Sequence, residues 1–223
     1  MTSQTIARLR NTLIVSSQAM DPRSPLRDPA ILSLLAQAAE LGGAGGFRVN
    51  GPAVVRHLRP STALPIIGIV KDTREGFDNY ITISVADIEA LCDAGADIVA
   101  IQATSGSRPD ASFRDLVAAA HRRNAPVMAD IATFDEAAAA IADGADLVAT
   151  TMVGHTAATE GEARPPFGLV RRLLPLGKPV VVEGGVWTPE HVRDSFAAGA
   201  FAVVSGSAIT APDLIVRHLL SGA

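Results

Sequence analysis

The sequence predicts a closed (β/α)8 barrel, the TIM-barrel architecture, in which eight parallel strands and eight helices form a single domain over residues 1–223. Short β-branched segments alternate with longer segments rich in alanine and leucine, whose apolar residues recur at helical spacing. The strand segments are almost continuously apolar, as expected for parallel strands that are covered on both faces. A glycine-centred turn also recurs four times. Together these observations favour an α/β fold built from a repeated strand–helix unit.

Eight segments have the composition of buried strands, because they are short, rich in valine and isoleucine, and bounded by glycine or polar residues. They are LIVSSQ (13–18), AGGFRVN (44–50), PIIGIVK (65–71), DIVAIQA (97–103), APVMADI (125–131), DLVATTM (146–152), PVVVEGG (179–185) and FAVVSGS (201–207). Seven helical segments separate these strands and an eighth follows the last one. Many of the helical segments end at a glycine, as in PAILSLLAQAAELG and SVADIEALCDAG.

The recurring turn indicates that the sheet closes. Gly43, Gly95, Gly144 and Gly199 lie in the similar segments LGGAGG, DAGADIV, ADGADLV and AAGAFAV, at spacings of 52, 49 and 55 residues. Each lies where a predicted helix ends and a strand begins. A period of two strand–helix units that occurs four times fits four quarters of a closed barrel. An open doubly wound sheet fits less well, because no GxGxxG turn follows an early strand.

Composition excludes several classes of partner. The chain is 48% hydrophobic and 19% charged with a net charge of −4, and its lysines and arginines are scattered, so neither nucleic acid nor a membrane surface is expected to bind. No apolar run reaches the roughly 18 residues of a membrane span. The polar N-terminus and the single cysteine, Cys92, predict a cytoplasmic protein. Cys92 and the histidines lack metal-ligand spacing, so no metal site is expected.

Polar residues gather where the predicted strands end, which is where this fold builds its active site. They are Gln18, Arg48, Asn50, Lys71, Asp72, Gln102, Thr104, Asp130, Thr150, Thr151, Glu183, Ser205 and Ser207. Lys71 is either a solvated strand-end residue or a functional amine that faces the carboxylates of Asp130 and Glu183. Those carboxylates are either catalytic, or structural partners of Arg48 or Lys71, or caps of the following loops.

Two glycine-rich loops predict an anion site. EGGVWTPE (183–190) follows the seventh strand and SGSAITAP (205–212) follows the eighth. This fold often binds phosphate at these two loops through backbone N–H groups, and small residues let the backbone approach the phosphate oxygens. We therefore expect a phosphorylated substrate.

These strand ends resemble the N-acetylmannosamine-6-phosphate 2-epimerase family. The matching stretches are IVSSQA, GGAGGFRVN, LPIIGIVKD, YITISV, GADIVAIQAT, VMADI, GADLVATTMVGHT, VVVEGGVWTPE and GSAIT, which run in order from residue 14 to about residue 215. The resemblance implies a (β/α)8 enzyme that interconverts N-acetylmannosamine 6-phosphate and N-acetylglucosamine 6-phosphate by removing and returning the proton at C2.

The resemblance also implies roles for individual residues. Lys71 and Glu183 match the family's catalytic pair, and they lie on opposite strands, which suits proton transfer on the two faces of C2. The predicted substrate-binding residues are Gln18, Arg48 and Asp130, to which we add Thr150 and Gln102, and the predicted phosphate-binding residues are Gly184, Gly185, Gly206 and Ser207. Protein groups can perform this chemistry alone, so no nicotinamide, flavin or metal is expected.

Four positions differ from the family pattern and leave the exact substrate open: Gln102 replaces an aspartate, Gly106 precedes a single arginine instead of two, His155 replaces a tyrosine and Ala211 replaces an arginine.

Two other functions are compatible with the residues. Lys71 could form a Schiff base, as in sugar-phosphate aldolases, or the barrel could bind a sugar phosphate without catalysis. Alanine-rich helices with apolar faces make a homodimer plausible.

Overall fold

The structure, a computed structural model that describes residues 2–19, 21–109 and 111–221, is a closed barrel. Eight parallel strands pair in sequence order, and the eighth pairs with the first. The strands are β1 Leu13–Ser17, β2 Gly46–Asn50, β3 Ile66–Ile69, β4 Ile98–Gln102, β5 Val127–Asp130, β6 Leu147–Ala149, β7 Val180–Glu183 and β8 Ala202–Ser205. The predicted (β/α)8 barrel is therefore confirmed, and β3 and β7 lie on opposite sides of it.

Helices separate the strands and surround the barrel. They are α1 Thr2–Ala7, α2 Pro29–Leu41, α3 Pro52–Leu58, α4 Val85–Ala94, α5 Phe113–Arg122, α6 Phe134–Ala142, α7 Phe167–Leu173, α8 Pro189–Ala197, α9 Ser207–Thr210 and α10 Pro212–Leu220. The expected number of eight is too low for the described part of the chain, because α1 precedes the barrel and the short α9 is inserted before the last helix. Among the residues that the structure describes, no helix is long and apolar enough to cross a membrane.

The strands are one to four residues shorter than the sequence predicts. The difference arises because strand pairing stops where the chain turns into the loops, although the apolar composition continues. Lys71, for example, lies two residues beyond β3 and forms an isolated antiparallel bridge with Ile81. The candidate lysine therefore belongs to the rim of the barrel.

Local signals explain where the elements begin and end. The helices α4, α5 and α6 each start with a capping box, in which Ser84, Ser112 or Thr133 exchanges hydrogen bonds with the third residue of the helix. At the helix ends, the four glycines of the sequence repeat all have positive φ, between +96° and +107°. That conformation reverses the chain toward the next strand, and glycine adopts it without a steric penalty.

Strand alternation separates two apolar regions. On β3, Ile67 and Ile69 lie in the cluster that fills the barrel, whereas Ile66 lies in the cluster between sheet and helices. The same alternation holds on β5 and β7, where Met128 and Val181 face inward. An inward residue two positions further along each strand therefore reaches the carboxyl mouth of the barrel.

Candidate active site

The inward positions at the carboxyl ends bring the predicted polar residues together. Lys71 follows Ile67 and Ile69 at the same alternation, and Asp130 and Glu183 follow Met128 and Val181 in the same way. Arg48 is inward on β2, because its neighbours Phe47 and Val49 belong to the outer cluster. The pleat of the sheet thus places a lysine, an arginine and two carboxylates over one apolar plug.

Arg48 is the centre of this group. Its Nη1 and Nη2 atoms donate to the two carboxylate oxygens of Asp130 at 2.9 and 2.7 Å, and Nη1 also donates to Oε2 of Glu183 at 2.8 Å. Arg48 is 1% exposed and Asp130 is fully buried. Burial alone would lower the pKa of the guanidinium, but the charges of Asp130 and Glu183 raise it above its ordinary value. Arg48 therefore stays charged and pairs with both carboxylates.

The Lys71 amine lies in an environment that favours its neutral form. Burial and the positive charge of Arg48 lower the pKa of Lys71 to about 8, although Glu183 and Asp130 oppose the shift. The backbone holds the residue in place, because the Lys71 N–H donates to Oδ1 of Asn50 at 2.9 Å. A lysine with this pKa can accept a proton near neutral pH.

Glu183 is shifted in the opposite direction. Burial raises the pKa of its carboxyl group, and Asp130 adds to the increase, while Arg48, Lys71 and the hydroxyl of Thr151 oppose it. The side chain is 14% exposed, so its carboxyl group can still meet a ligand. A raised pKa makes the protonated form of this carboxyl group more accessible, so the group can serve as an acid as well as a base.

A cavity of about 760 Å³ opens above this group at the carboxyl mouth. Lys71 and Glu183 line it from opposite sides, and Gln18 lines it from the end of β1. All four predicted phosphate-binding residues, Gly184, Gly185, Gly206 and Ser207, line the same cavity. Its volume lies within the range of small-molecule sites.

Gln18 has unused hydrogen-bonding capacity at this cavity. Its Nε2 donates to the hydroxyl of Ser16 at 2.7 Å, whereas its buried Oε1 has no partner among the described residues. The Nε atom of Arg48 is likewise buried without a partner in the described part of the chain. Buried polar groups usually have a partner, so such atoms indicate a place for ligand or water.

Four of the predicted residues do not line the cavity. Arg48 and Asp130 lie beneath it as the buried ion pair. The hydroxyl of Thr150 joins two strands, because it donates to the carbonyl of Glu183 at 2.9 Å and accepts from the Glu183 N–H at 3.1 Å. The amide of Gln102 accepts from the Tyr80 N–H at 2.9 Å and donates to Thr104 at 2.8 Å, so it holds the loop after β3.

The cavity is also lined by residues to which the sequence assigned no role, and Tyr80, Thr151 and His155 are among them. Leu147 and Ala149 face the interior of the barrel, so Thr151, two positions further along, faces inward as well. Its hydroxyl donates to Oδ1 of Asp130 at 2.7 Å. The sequence indicated Thr151 as a polar strand-end residue but assigned the substrate-binding role to its neighbour Thr150. Tyr80 and His155 lie on irregular loops, where no periodicity indicates direction. Among the described residues, no group of three or more His, Cys, Asp and Glu residues is placed to hold a metal ion.

The fold and the site together define a class of protein. This is a TIM-barrel protein with a candidate acid–base pair of lysine and glutamate on opposite strands and with glycine-rich loops after β7 and β8 that line the same cavity. A family model described as "NanE: Putative N-acetylmannosamine-6-phosphate epimerase" matches residues 32–222. The chain therefore belongs to the N-acetylmannosamine-6-phosphate epimerase family, as its sequence motifs predicted.

Relatives and a solved structure agree with this assignment. A "Putative N-acetylmannosamine-6-phosphate 2-epimerase" of Thermosynechococcus vestitus is 41% identical over 216 residues, which is 96% of this chain and 94% of that protein. A relative of the same description from Caldanaerobacter subterraneus subsp. tengcongensis is 37% identical over 220 residues, covering 97% and 92%. The structure of the N-acetylmannosamine-6-phosphate 2-epimerase from Clostridium perfringens superposes with a TM-score of 0.94 at 32% identity, covering 98% of this chain and 96% of that one.

Proposed function

We propose that this protein interconverts N-acetylmannosamine 6-phosphate and N-acetylglucosamine 6-phosphate by proton exchange at C2. The observation that carries the proposal is the placement of Lys71 and Glu183 on opposite sides of one cavity, with pKa values shifted toward each other. Two groups that can each give or take a proton, on opposite faces of a substrate, are what inversion of a C–H stereocentre requires.

The reaction proceeds on the open-chain sugar, in which C2 is adjacent to the C1 aldehyde. In one direction neutral Lys71 takes the C2 proton, and the electron pair of the broken C–H bond moves into the C1 carbonyl to give an enolate whose charge lies on the C1 oxygen. Protonated Glu183 then returns a proton to the opposite face of C2, which inverts the centre. In the reverse direction the carboxylate removes the proton and the ammonium group returns one.

The remaining predicted residues bind and position the sugar phosphate. Oε1 of Gln18 is available to a substrate hydroxyl or amide N–H. Gly184, Gly185, Gly206 and Ser207 receive the phosphate group. Arg48 and Asp130 act from beneath by fixing the carboxyl group of Glu183, and Thr150 and Gln102 fix the strand and loop that carry the cavity wall.

Proton NMR in deuterated water tests substrate and reaction together. With N-acetylmannosamine 6-phosphate as substrate, we expect the C2 proton signal to be lost and the signals of the second epimer to grow. Lys71→Ala and Glu183→Gln should each abolish the exchange while the circular dichroism spectrum stays unchanged. Lys178→Ala is the matched control, because Lys178 precedes β7 at the opposite end of the barrel. This variant should exchange the C2 proton at the wild-type rate. Normal exchange in either site variant would refute this mechanism.

The same experiments separate the two alternatives. Borohydride reduction in the presence of substrate would trap a covalent adduct on Lys71 if the protein were a Schiff-base aldolase. A non-catalytic binding protein would be stabilised against heat by the sugar phosphate but would not exchange the C2 proton. We expect neither a trapped adduct nor the absence of exchange.

We also propose that residues 1–223 are one barrel domain, that the protein works in the cytoplasm, and that it forms a homodimer. The phosphorylated substrate and the single cysteine support the cytoplasmic location.

The exposed apolar residues Val216, Leu219 and Leu220 of α10 support the dimer. Light scattering after size exclusion should give a mass near twice the 23.0 kDa of the chain, and a monomeric mass would refute the dimer.

A further inference from the structure

His155 lies at the mouth of the cavity, on the turn that follows β6, and lines it together with Lys71 and Glu183. The turn itself is fixed by hydrogen bonds. The backbone N–H of His155 donates to the carbonyl of Met152 at 3.0 Å, and the N–H of Gly154 donates to the hydroxyl of Thr159 at 2.9 Å. The imidazole is therefore presented from a defined backbone.

The tautomer of His155 follows from its partner. Nη1 of Arg164 lies 2.9 Å from Nε2 of His155. A guanidinium group has donors and no acceptor, so Nε2 must accept through its lone pair. The ring proton is then on Nδ1, and the imidazole is neutral for as long as this hydrogen bond exists.

Arg164 is held in place by close packing over the glycine turns. A side chain at Gly185 would meet Cβ of Arg164 at 2.5 Å, and one at Gly154 would meet its Cδ and Nε at 3.4 Å. The space at position 185 therefore admits only glycine beside the arginine, whereas the distance at Gly154 corresponds to ordinary van der Waals contact. The arginine therefore supports the imidazole through packing as well as through the hydrogen bond.

The surrounding charges favour the neutral ring. Burial lowers the pKa of His155 below its ordinary value, and the positive charges of Arg164 and Lys71 lower it further. Other charged groups that line the same cavity are Glu183, Asp21, Arg23, Asp213 and Arg217. No side chain or backbone group among the described residues accepts a hydrogen bond from Nδ1 of His155.

We propose that His155 is a substrate-contact residue whose neutral Nδ1–H group donates a hydrogen bond to an oxygen of the bound sugar phosphate, with its tautomer set by Arg164. This inference rests on the proposed function for the identity of the ligand. A neutral donor recognises a hydroxyl, carbonyl or phosphate oxygen without adding positive charge near Lys71. An imidazolium at the same place would lower the pKa of Lys71 further and would lose its bond to Arg164.

The tautomer can be tested without any activity. Long-range ¹H–¹⁵N NMR of the protein labelled at histidine distinguishes the two neutral forms, and His155→Gln identifies the His155 signals. We expect the Nδ1–H form, with a pKa below that of a free histidine. Arg164→Met should raise this pKa and shift the ring toward the Nε2–H form, whereas Arg171→Met, an exposed change on α7, should do neither. A wild-type ring in the Nε2–H form would overturn the proposal.

The contact with substrate is tested by two variants that differ in hydrogen bonding. Glutamine at position 155 can accept from Arg164 and donate to the ligand, whereas leucine can do neither. We expect His155→Leu to weaken binding of N-acetylglucosamine 6-phosphate about 3- to 10-fold, the value of one hydrogen bond. His155→Gln should bind within about 2- to 3-fold of wild type.

Calorimetric binding keeps this test separate from the proposed reaction. If the wild-type protein binds the sugar phosphate but does not exchange the C2 proton, the epimerase function fails while the comparison of the two variants still decides the role of His155. Equal binding by His155→Leu and wild type would overturn the proposal. So would equal loss in the leucine and glutamine variants with both chains folded, because that result would assign the effect to the shape of the ring.

Discussion

The pH dependence of the reaction follows from the shared proton of Lys71 and Glu183. One direction of epimerisation uses a neutral amine and a protonated carboxyl group, and the other uses an ammonium group and a carboxylate. Both arrangements hold one proton on the pair, so kcat/KM should depend on the population that holds exactly one. Activity should fall on the acid side, where the pair holds two protons, and on the alkaline side, where it holds none.

The alkaline limb of the pH profile gives the more precise numerical prediction for kcat/KM. With the pKa of Lys71 at about 8, only about one eleventh of the pairs keep their proton at pH 9, so kcat/KM should fall about 10-fold from its plateau. A lysine at its ordinary pKa of 10.5 would lose only about 3% of its protons at the same pH. The acid side is less diagnostic, because the phosphate group of the substrate also titrates near pH 6.

Initial rates of C2 deuterium exchange, measured from both epimers between pH 6 and pH 10, provide the assay. The two directions should give the same alkaline limb, because they draw on the same one-proton population. Circular dichroism at each pH controls for unfolding. A rate that stays constant or keeps rising from pH 8 to pH 10 would refute the reasoning, since Lys71 would then either have an ordinary pKa or act without a shared proton.

Two further predictions concern the groups around the pair. Asp130→Asn should lower the free energy of unfolding by about 3 kcal/mol in urea denaturation, because it removes one partner of a buried ion pair. The control Asp213→Asn changes an exposed ion pair on a helix and should lower the free energy of unfolding by only about 0.3–0.5 kcal/mol. Equal losses in the two variants would contradict the central role of the buried pair. Gly185→Ala should raise KM for the sugar phosphate and destabilise the fold by about 2–4 kcal/mol, because φ is +74° and the new Cβ would lie 2.5 Å from Cβ of Arg164. Gly161→Ala, at φ +77° with no atom within 4 Å, should cost only about 1 kcal/mol and leave KM unchanged, so a similar KM in both variants would argue against a close approach at Gly185.

The barrel could be predicted from the sequence because the sequence features that indicate it repeat at regular intervals along the chain. The glycine repeat marks the ends of the strand–helix units, and the alternation of Ile67, Ile69 and Lys71 determines which face each residue takes. Those signals depend on backbone geometry, which is the same in every strand. The inward placement of Lys71 and Glu183 could therefore be inferred before any coordinates.

Other parts of the site depend on information that periodicity does not contain. Thr150 and Thr151 are adjacent and chemically identical, and a shift of one residue decides which hydroxyl meets the cavity and which joins two backbones. Gln102 is inward as expected, but its amide bonds to the loop at Tyr80, and that loop has no repeating pattern. His155 was visible only as a departure from the family pattern, because the partner that sets its tautomer lies nine residues away on an irregular loop.

The sequence left open whether the two carboxylates pair with Arg48 or with Lys71, and this choice determines what the lysine can do. If Asp130 and Glu183 both made their shortest contacts with Lys71, their charges would hold its pKa above 10.5, and almost no neutral amine would exist near pH 7. The structure gives those contacts to Arg48, at 2.7 and 2.8 Å. Burial and the positive charge of Arg48 lower the pKa of Lys71 to about 8, while Glu183 and Asp130 still oppose the shift. Arg48 therefore adds to the effect of burial in bringing neutral Lys71 within reach of neutral pH, although it does not line the cavity.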